Sequence, residues 1–157
     1  MGDKVKPIPD DNRSAAPYLM CKGAAAALAF YEKAFGARVL EKIEMPGGVI
    51  GHAEVKIGDA FFMLAEECPM NGLKSPETLG GTSVTIHIYV EDVDALLARA
   101  VAAGAKVIQP IEDKFYGDRS VMLQDPCGHL WGFASRKENL TFDEIKKRSA
   151  ALYGGCC

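Results

Sequence analysis

The chain nearly repeats itself, and this constrains its fold more than any other feature. Gly36 to Glu44 reads GARVLEKIE, and Gly104 to Glu112, 68 residues further on, reads GAKVIQPIE. Five of the nine positions are identical, and two more are Arg/Lys and Leu/Ile exchanges. Each copy follows a short apolar, strand-like run and an Ala/Leu-rich helical pattern, and each precedes two further strand-like runs. Two copies of one small unit usually pair their sheets, and the space between paired sheets is a natural pocket for a small ligand. A chain of 157 residues is long enough to hold the unit twice around a sizeable core.

The periodicities predict strands at Pro17–Cys21, Val39–Met45, Ile50–Ile57 and Ala60–Ala65, with a helix over Ala24–Phe35. Leu28, Tyr31 and Phe35 recur at spacings of three and four, so one face of that helix is apolar, and Gly36 stands where a C-cap glycine belongs. Glu66 to Gly81, rich in Pro, Gly, Ser and Asn, reads as the linker between copies. The second copy predicts strands at Ser83–Val90, Lys106–Ile111, Asp118–Gln124 and His129–Ser135, with a helix over Asp92–Ala103 capped by Gly104. Thr141 and Glu144 fit a capping box that opens a final helix to about residue 153, with Phe142, Ile145 and Leu152 on one side. Met1 to Ser14 reads as a flexible or surface-hugging lead. Strand-helix-strand-strand-strand, twice, predicts an α+β fold with mostly antiparallel sheets and helices on one face.

The bulk properties exclude several classes. Net charge is −3, from 18 basic and 21 acidic side chains, which leaves no electrostatic footprint for nucleic acid or an anionic membrane. No apolar run approaches the roughly 20 residues that span a bilayer, and the N-terminus has no apolar signal-peptide core, so a cytoplasmic protein is expected. Cys21, Cys68, Cys127, Cys156 and Cys157 are odd in number and irregular in spacing, without a C-x-x-C or His-containing zinc pattern; they read as reduced thiols, the last two as an oxidation liability.

Three groups of residues carry a family resemblance: Ala29-Phe30-Tyr31 before Phe35-Gly36-Ala37, Tyr89-Val90-Glu91-Asp92-Val93-Asp94-Ala95, and Asp125-Pro126-Cys127-Gly128-His129-Leu130-Trp131. Together they resemble the vicinal oxygen chelate superfamily of glyoxalases, bleomycin-resistance proteins and dioxygenases, over about Pro17 to Ser135. His52-Ala53-Glu54 with Ile57-Gly58-Asp59, and Phe115-Tyr116-Gly117-Asp118-Arg119, look most like its PhnB-like branch. The resemblance implies one domain of two βαβββ modules, about residues 15–66 and 82–136, forming an open barrel-like cleft. It also implies a homodimer in which modules of both chains shape the clefts. Metal-dependent relatives hold one divalent ion on four strands; the corresponding positions here are Ala16, Met63, Thr85 and Gly132, none of which supplies the imidazole or carboxylate such an ion needs.

The leading expectation is therefore a small-molecule binding protein without the family metal, its cleft lined by Tyr18, Met63, Thr85, His87, Tyr89, Tyr116, Arg119 and Trp131. Arg119 would clamp a carboxylate or phosphate, its other reading being a salt bridge that shapes the loop; Trp131 would stack on a flat ligand or else pack the core. The alternative is a lyase or isomerase, using either a displaced divalent metal on His52, Glu54 and His87 or His87 as a metal-free base. A dimeric protein acting through its surface is a third class. His129 is expected to serve the turn it sits in.

Overall fold

The computed structural model describes residues 6–7 and 15–154. Most of the expected lead before Ser14, and the Cys156–Cys157 pair, lie outside these residues. The first module contains β1 (Tyr18–Cys21), α1 (Ala24–Phe35), β2 (Arg38–Met45), β3 (Val49–Ile57) and β4 (Ala60–Glu66). A short helix α2 (Pro76–Leu79) follows, then the second module: β5 (Thr85–Tyr89), α3 (Val93–Ala102), β6 (Lys106–Asp113), β7 (Asp118–Gln124) and β8 (Leu130–Arg136). Helix α4 (Phe142–Tyr153) ends the described chain.

The helix ends show how local sequence sets the boundaries. Gly36, at φ +68°, terminates α1 in the left-handed region that only glycine enters cheaply. The start of α1 has no side-chain cap of its own. The Glu66 carboxylate from β4 accepts the Gly23 and Ala24 N–H groups instead, at 2.8 and 2.7 Å, bringing a negative charge to the helix N-terminus. Asp92 caps α3 through the Ala95 N–H. That helix ends one residue earlier than expected: Ala103 is the cap, and Gly104 follows with its φ of +105°. The linker is not structureless. Ser75 caps α2 by accepting the Thr78 N–H, Pro76 begins it, and the Glu67 carboxylate accepts both the Ser75 N–H and the Thr78 hydroxyl.

The two sheets have the same topology. Their strand orders are β1-β4-β3-β2 and β5-β8-β7-β6. In each, the first strand pairs parallel with the last and the remaining pairs are antiparallel. The near-repeat in sequence is thus a repeat in structure: an α+β fold of two four-stranded mixed sheets, neither closed into a barrel.

Both sheets turn one face toward a common core. Leu19, Val55, Phe62 and Leu64 face inward from the first, and Ile88, Val121, Leu123, Trp131 and Phe133 from the second, all buried. Aromatic rings join the two halves. Tyr31 of α1 lies 5.7 Å from Phe62 and 5.3 Å from Trp131 between ring centroids, and Phe35 lies 5.2 Å from Trp131 and 4.7 Å from Phe133. Phe62 and Trp131 meet directly at 5.4 Å. Such pairs add about 0.5–1.5 kcal/mol each beyond their burial. The opposite face of each sheet is left open.

At the seam sits the buried carboxylate of Asp125, in the turn before β8. Its Oδ2 accepts the Tyr31 hydroxyl at 2.6 Å and the Trp131 indole N–H at 2.9 Å. Its Oδ1 accepts the Cys127 and His129 N–H groups, both at 2.9 Å. Burial is the largest single influence and favours the neutral acid, but the His129 ring, Tyr31 and Trp131 together outweigh it and hold the Asp125 carboxyl below the usual range. Cys21 lies nearby, its Sγ 4.0 Å from the Tyr31 hydroxyl, and Cys127 Sγ is 3.7 Å from the Lys22 carbonyl. The adjacent Cys127 thiol and burial push the Cys21 thiol far up, so it stays protonated and unreactive.

Two outcomes follow for stability. Tyr31→Phe removes one of the donors that hold a buried carboxylate and costs about 1–3 kcal/mol in urea unfolding. Because the folded pKa of Asp125 is depressed, its contribution is present above the unfolded value of about 3.9 and is lost as pH falls through the lower folded value. The wild-type midpoint therefore drops on acidification below about pH 4, and the drop is smaller in Asp125→Asn. Equal acid sensitivity of the two proteins would contradict this.

Candidate functional site

Strand alternation builds a cleft of about 400 Å³ on the open face of the second sheet. Thr85 and His87 of β5, Gly132 of β8, Ser120 and Met122 of β7 and Gln109 of β6 form its floor. Phe115 and Tyr116, from the β6–β7 turn, and Leu152 and Tyr153, from α4, wall it. Helix α4 is held there by polar contacts more than by packing, since none of its residues is buried. The Thr141–Glu144 capping box starts it as expected. Arg148 then donates to both Glu138 carboxylate oxygens at 2.8 Å and to the Phe115 carbonyl at 3.3 Å. The Phe115 and Tyr153 rings meet edge-on at 6.0 Å.

His87 lies at the centre of this floor. Its ring meets Tyr89 edge-on at 5.2 Å and leans across the strand pair onto residue 132. A Cβ at position 132 would stand 2.7 Å from His87 Nδ1, so Gly132 is what lets the imidazole lie there. No hydrogen bond engages the His87 ring nitrogens among the described residues, which leaves them available to a ligand. Tyr89, on the same face, is committed elsewhere: its hydroxyl donates to buried Asp118 at 2.5 Å. That hydrogen bond, then burial and the Asp118 charge, push the Tyr89 phenol above its ordinary value and keep it neutral. The Arg136 guanidinium sits 5.8 Å from the Tyr89 ring centroid. Lys114 pairs with Glu112 at the rim, so the cleft presents both signs of charge.

Thr85, His87 and Tyr116 line this cleft, and Tyr89 shares its sheet face. The structure places the other candidate residues elsewhere within the chain. Tyr18 and Met63 belong to the open face of the first sheet, where they are register partners, and do not line the cleft. There the Tyr18 hydroxyl is 2.8 Å from His52 Nδ1, and His52 Nε2 is 3.8 Å from Glu54. His52, Glu54 and His87 are not brought together, because the first two project from the first sheet and His87 from the second. Arg119 projects from the helix-covered side of β7, donating to Asp94 of α3 at 2.9 Å and to Asp113 at 3.1 Å. Its ion pairs are structural, and they raise the Arg119 pKa further. Trp131 faces inward, fully buried, because alternation gives the cleft its neighbour Gly132.

The walls from α4 and the role of Asp125 are what the residue patterns did not predict. The only signal for the first was the apolar stripe ending in Leu152. For the second it was an acidic residue opening a turn that also contains proline and glycine, a pattern that reads as turn chemistry alone.

The positions that the family resemblance assigns to metal ligands are Ala16, Met63, Thr85 and Gly132. Among the described residues no three His, Cys, Asp or Glu side chains gather where they could hold an ion. The side chains at those four positions offer neither an imidazole nor a carboxylate to a divalent cation.

Residues 15–133 match the family model of the glyoxalase/bleomycin resistance protein/dioxygenase superfamily, and the chain belongs to that superfamily. An uncharacterized protein of Mycobacterium tuberculosis is 42% identical over 134 residues, 83% of this chain and 79% of that one. An uncharacterized protein of Arabidopsis thaliana is 28% identical over 131 residues, 77% of this chain and 76% of that one. Among solved structures, TioX from Micromonospora sp. ML1 superposes with a TM-score of 0.62 at 28% identity, covering 82% of this chain and all of that one. The fosfomycin resistance protein FosX from Listeria monocytogenes, solved with Mn(II) and sulfate, gives a TM-score of 0.63 at 18% identity, covering 88% of this chain and 98% of that one; it shares the fold.

Gly132→Ala tests the geometry of the cleft floor. The expected outcome is a folded protein whose His87 ring proton resonances move while those of His129 stay in place. Unmoved His87 resonances would show that the ring does not lie over position 132.

Proposed function

We propose that this chain is a small-molecule binding protein of the bleomycin-resistance type, taking an organic ligand on the open face of its second sheet without a metal ion. The observation that carries this reading is the side-chain set. Ala, Met, Thr and Gly stand at the four positions where metal-dependent relatives place ligands, while a roomy, mixed polar and apolar cleft surrounds two of those positions. His87, with unengaged nitrogens, and Gln109 would orient the ligand, while Met122, Phe115, Tyr116 and Tyr153 would cover its apolar body.

A homodimer completes this picture, because each chain leaves the opposite faces of both sheets open and α4 nearly unpacked. The PhnB-like stretches around His52 and Phe115 support a place in that branch, and the composition supports a cytoplasmic protein. The availability of the His87 ring also supports a second reading, in which the chain is a lyase or isomerase that uses His87 as a base for an acidic C–H.

Calorimetric titration with zinc, nickel and manganese separates these readings from metal-dependent chemistry. The expected result is no stoichiometric binding; one ion per chain would overturn the proposal. If the protein turns over a substrate, His87→Ala abolishes turnover with the fold intact under the second reading, and unchanged turnover would rule out His87 as its base.

A further inference from the structure

A second groove, of about 470 Å³, opens between the two modules, away from the cleft over His87. Its walls are the edge strands β1 and β5 together with α2 and the segment leading into β5. Met20, Leu79, Val84 and Ile86 make it largely apolar, and Lys74 places a cation on its wall. The volume lies within the range of small-molecule sites.

One polar side chain inside this groove has no structural task for its outer end. His129 is nine-tenths buried, with a side-chain exposure of 10%. Its backbone N–H serves the Asp125 turn. Its Nδ1 is sealed from solvent, 3.4 Å from Asp125 Oδ2, and is too poorly aimed for a full hydrogen bond. The ring lines the groove, and among the described residues no hydrogen bond engages its other nitrogen, Nε2. A buried ring nitrogen without a partner loses part of its hydration, so a ligand hydroxyl, which can donate or accept, gains by supplying the missing hydrogen bond.

The geometry points to a second binding site, for a small hydroxy acid with an apolar body, whose hydroxyl hydrogen-bonds to His129 Nε2 and whose carboxylate meets Lys74. The site is independent of the cleft over His87 and does not rest on the function proposed for it. The Asp125 turn that ties the modules together also holds the His129 backbone, so the ring stands in the groove wall before any ligand arrives. An apolar residue such as Met20 or Ile86 would cover the ligand body from either edge strand.

The test uses 3-(4-hydroxyphenyl)propionate as the probe, titrated into the full chain and followed by NMR, including the His129 ring nitrogens. The expected result is saturable binding that shifts the Nε2 resonance. Binding falls at least about tenfold for 3-phenylpropionate, which lacks the hydroxyl. It falls similarly in Val84→Trp, which fills the groove from a position that is exposed and outside the core, and in Lys74→Ala. It is unchanged in Gly132→Ala, which alters the other cleft. Absence of binding at millimolar probe, equal affinity for the two acids, or full affinity in Val84→Trp would each overturn the assignment.

Discussion

A single buried carboxylate holds the two halves of this molecule in register. Asp125 belongs to the second module, yet it accepts a hydrogen bond from Tyr31 of the first module's helix and another from Trp131 of its own sheet. Those two rings lie against each other, with Phe35, Phe62 and Phe133 around them. A charge in such surroundings costs several kcal/mol unless its lone pairs are filled. Here they are, by two side chains and two backbone N–H groups. The apolar contacts supply most of the attraction between modules, and the carboxylate decides which aromatic groups must face each other.

The placement of the functional surfaces follows from that seam. Because both sheets commit their helix-covered faces to the common core, their other faces are left for ligands or a partner. Gly132 is the opposite side of the same strand that buries Trp131 and Phe133, so the residue that opens the cleft and the residues that close the core are fixed together by alternation. His129 shows the same economy at the turn: its backbone completes the Asp125 network while its ring lines the groove between modules.

The repeat, most of the strands and all three long helices were legible in the sequence, because periodicity and capping act locally. Gly36 and the Thr141–Glu144 box stand where the chain pattern places them. Long-range choices were not legible. Strand alternation shows that Leu130 and Trp131 face opposite ways, but only the position of Tyr31 and Phe35 decides which of them is inside. Arg119 reads equally well as a ligand clamp or as a structural cation until Asp94 of α3 is seen beside it. His52 and Glu54 share a face, but nothing local says that this face belongs to a different surface from that of His87. The α4 walls depend on Arg148 reaching Glu138, a contact between two ordinary surface residues.

Hydrogen exchange on the central amides of β4 and β8, compared between wild type and Asp125→Asn, tests the account most directly. If one carboxylate couples both modules, Leu64 in β4 and Phe133 in β8 lose protection by the same factor in the variant. Loss confined to β8, with β4 as protected as before, would mean that the modules are held together by their apolar contacts alone and that Asp125 serves only its own turn.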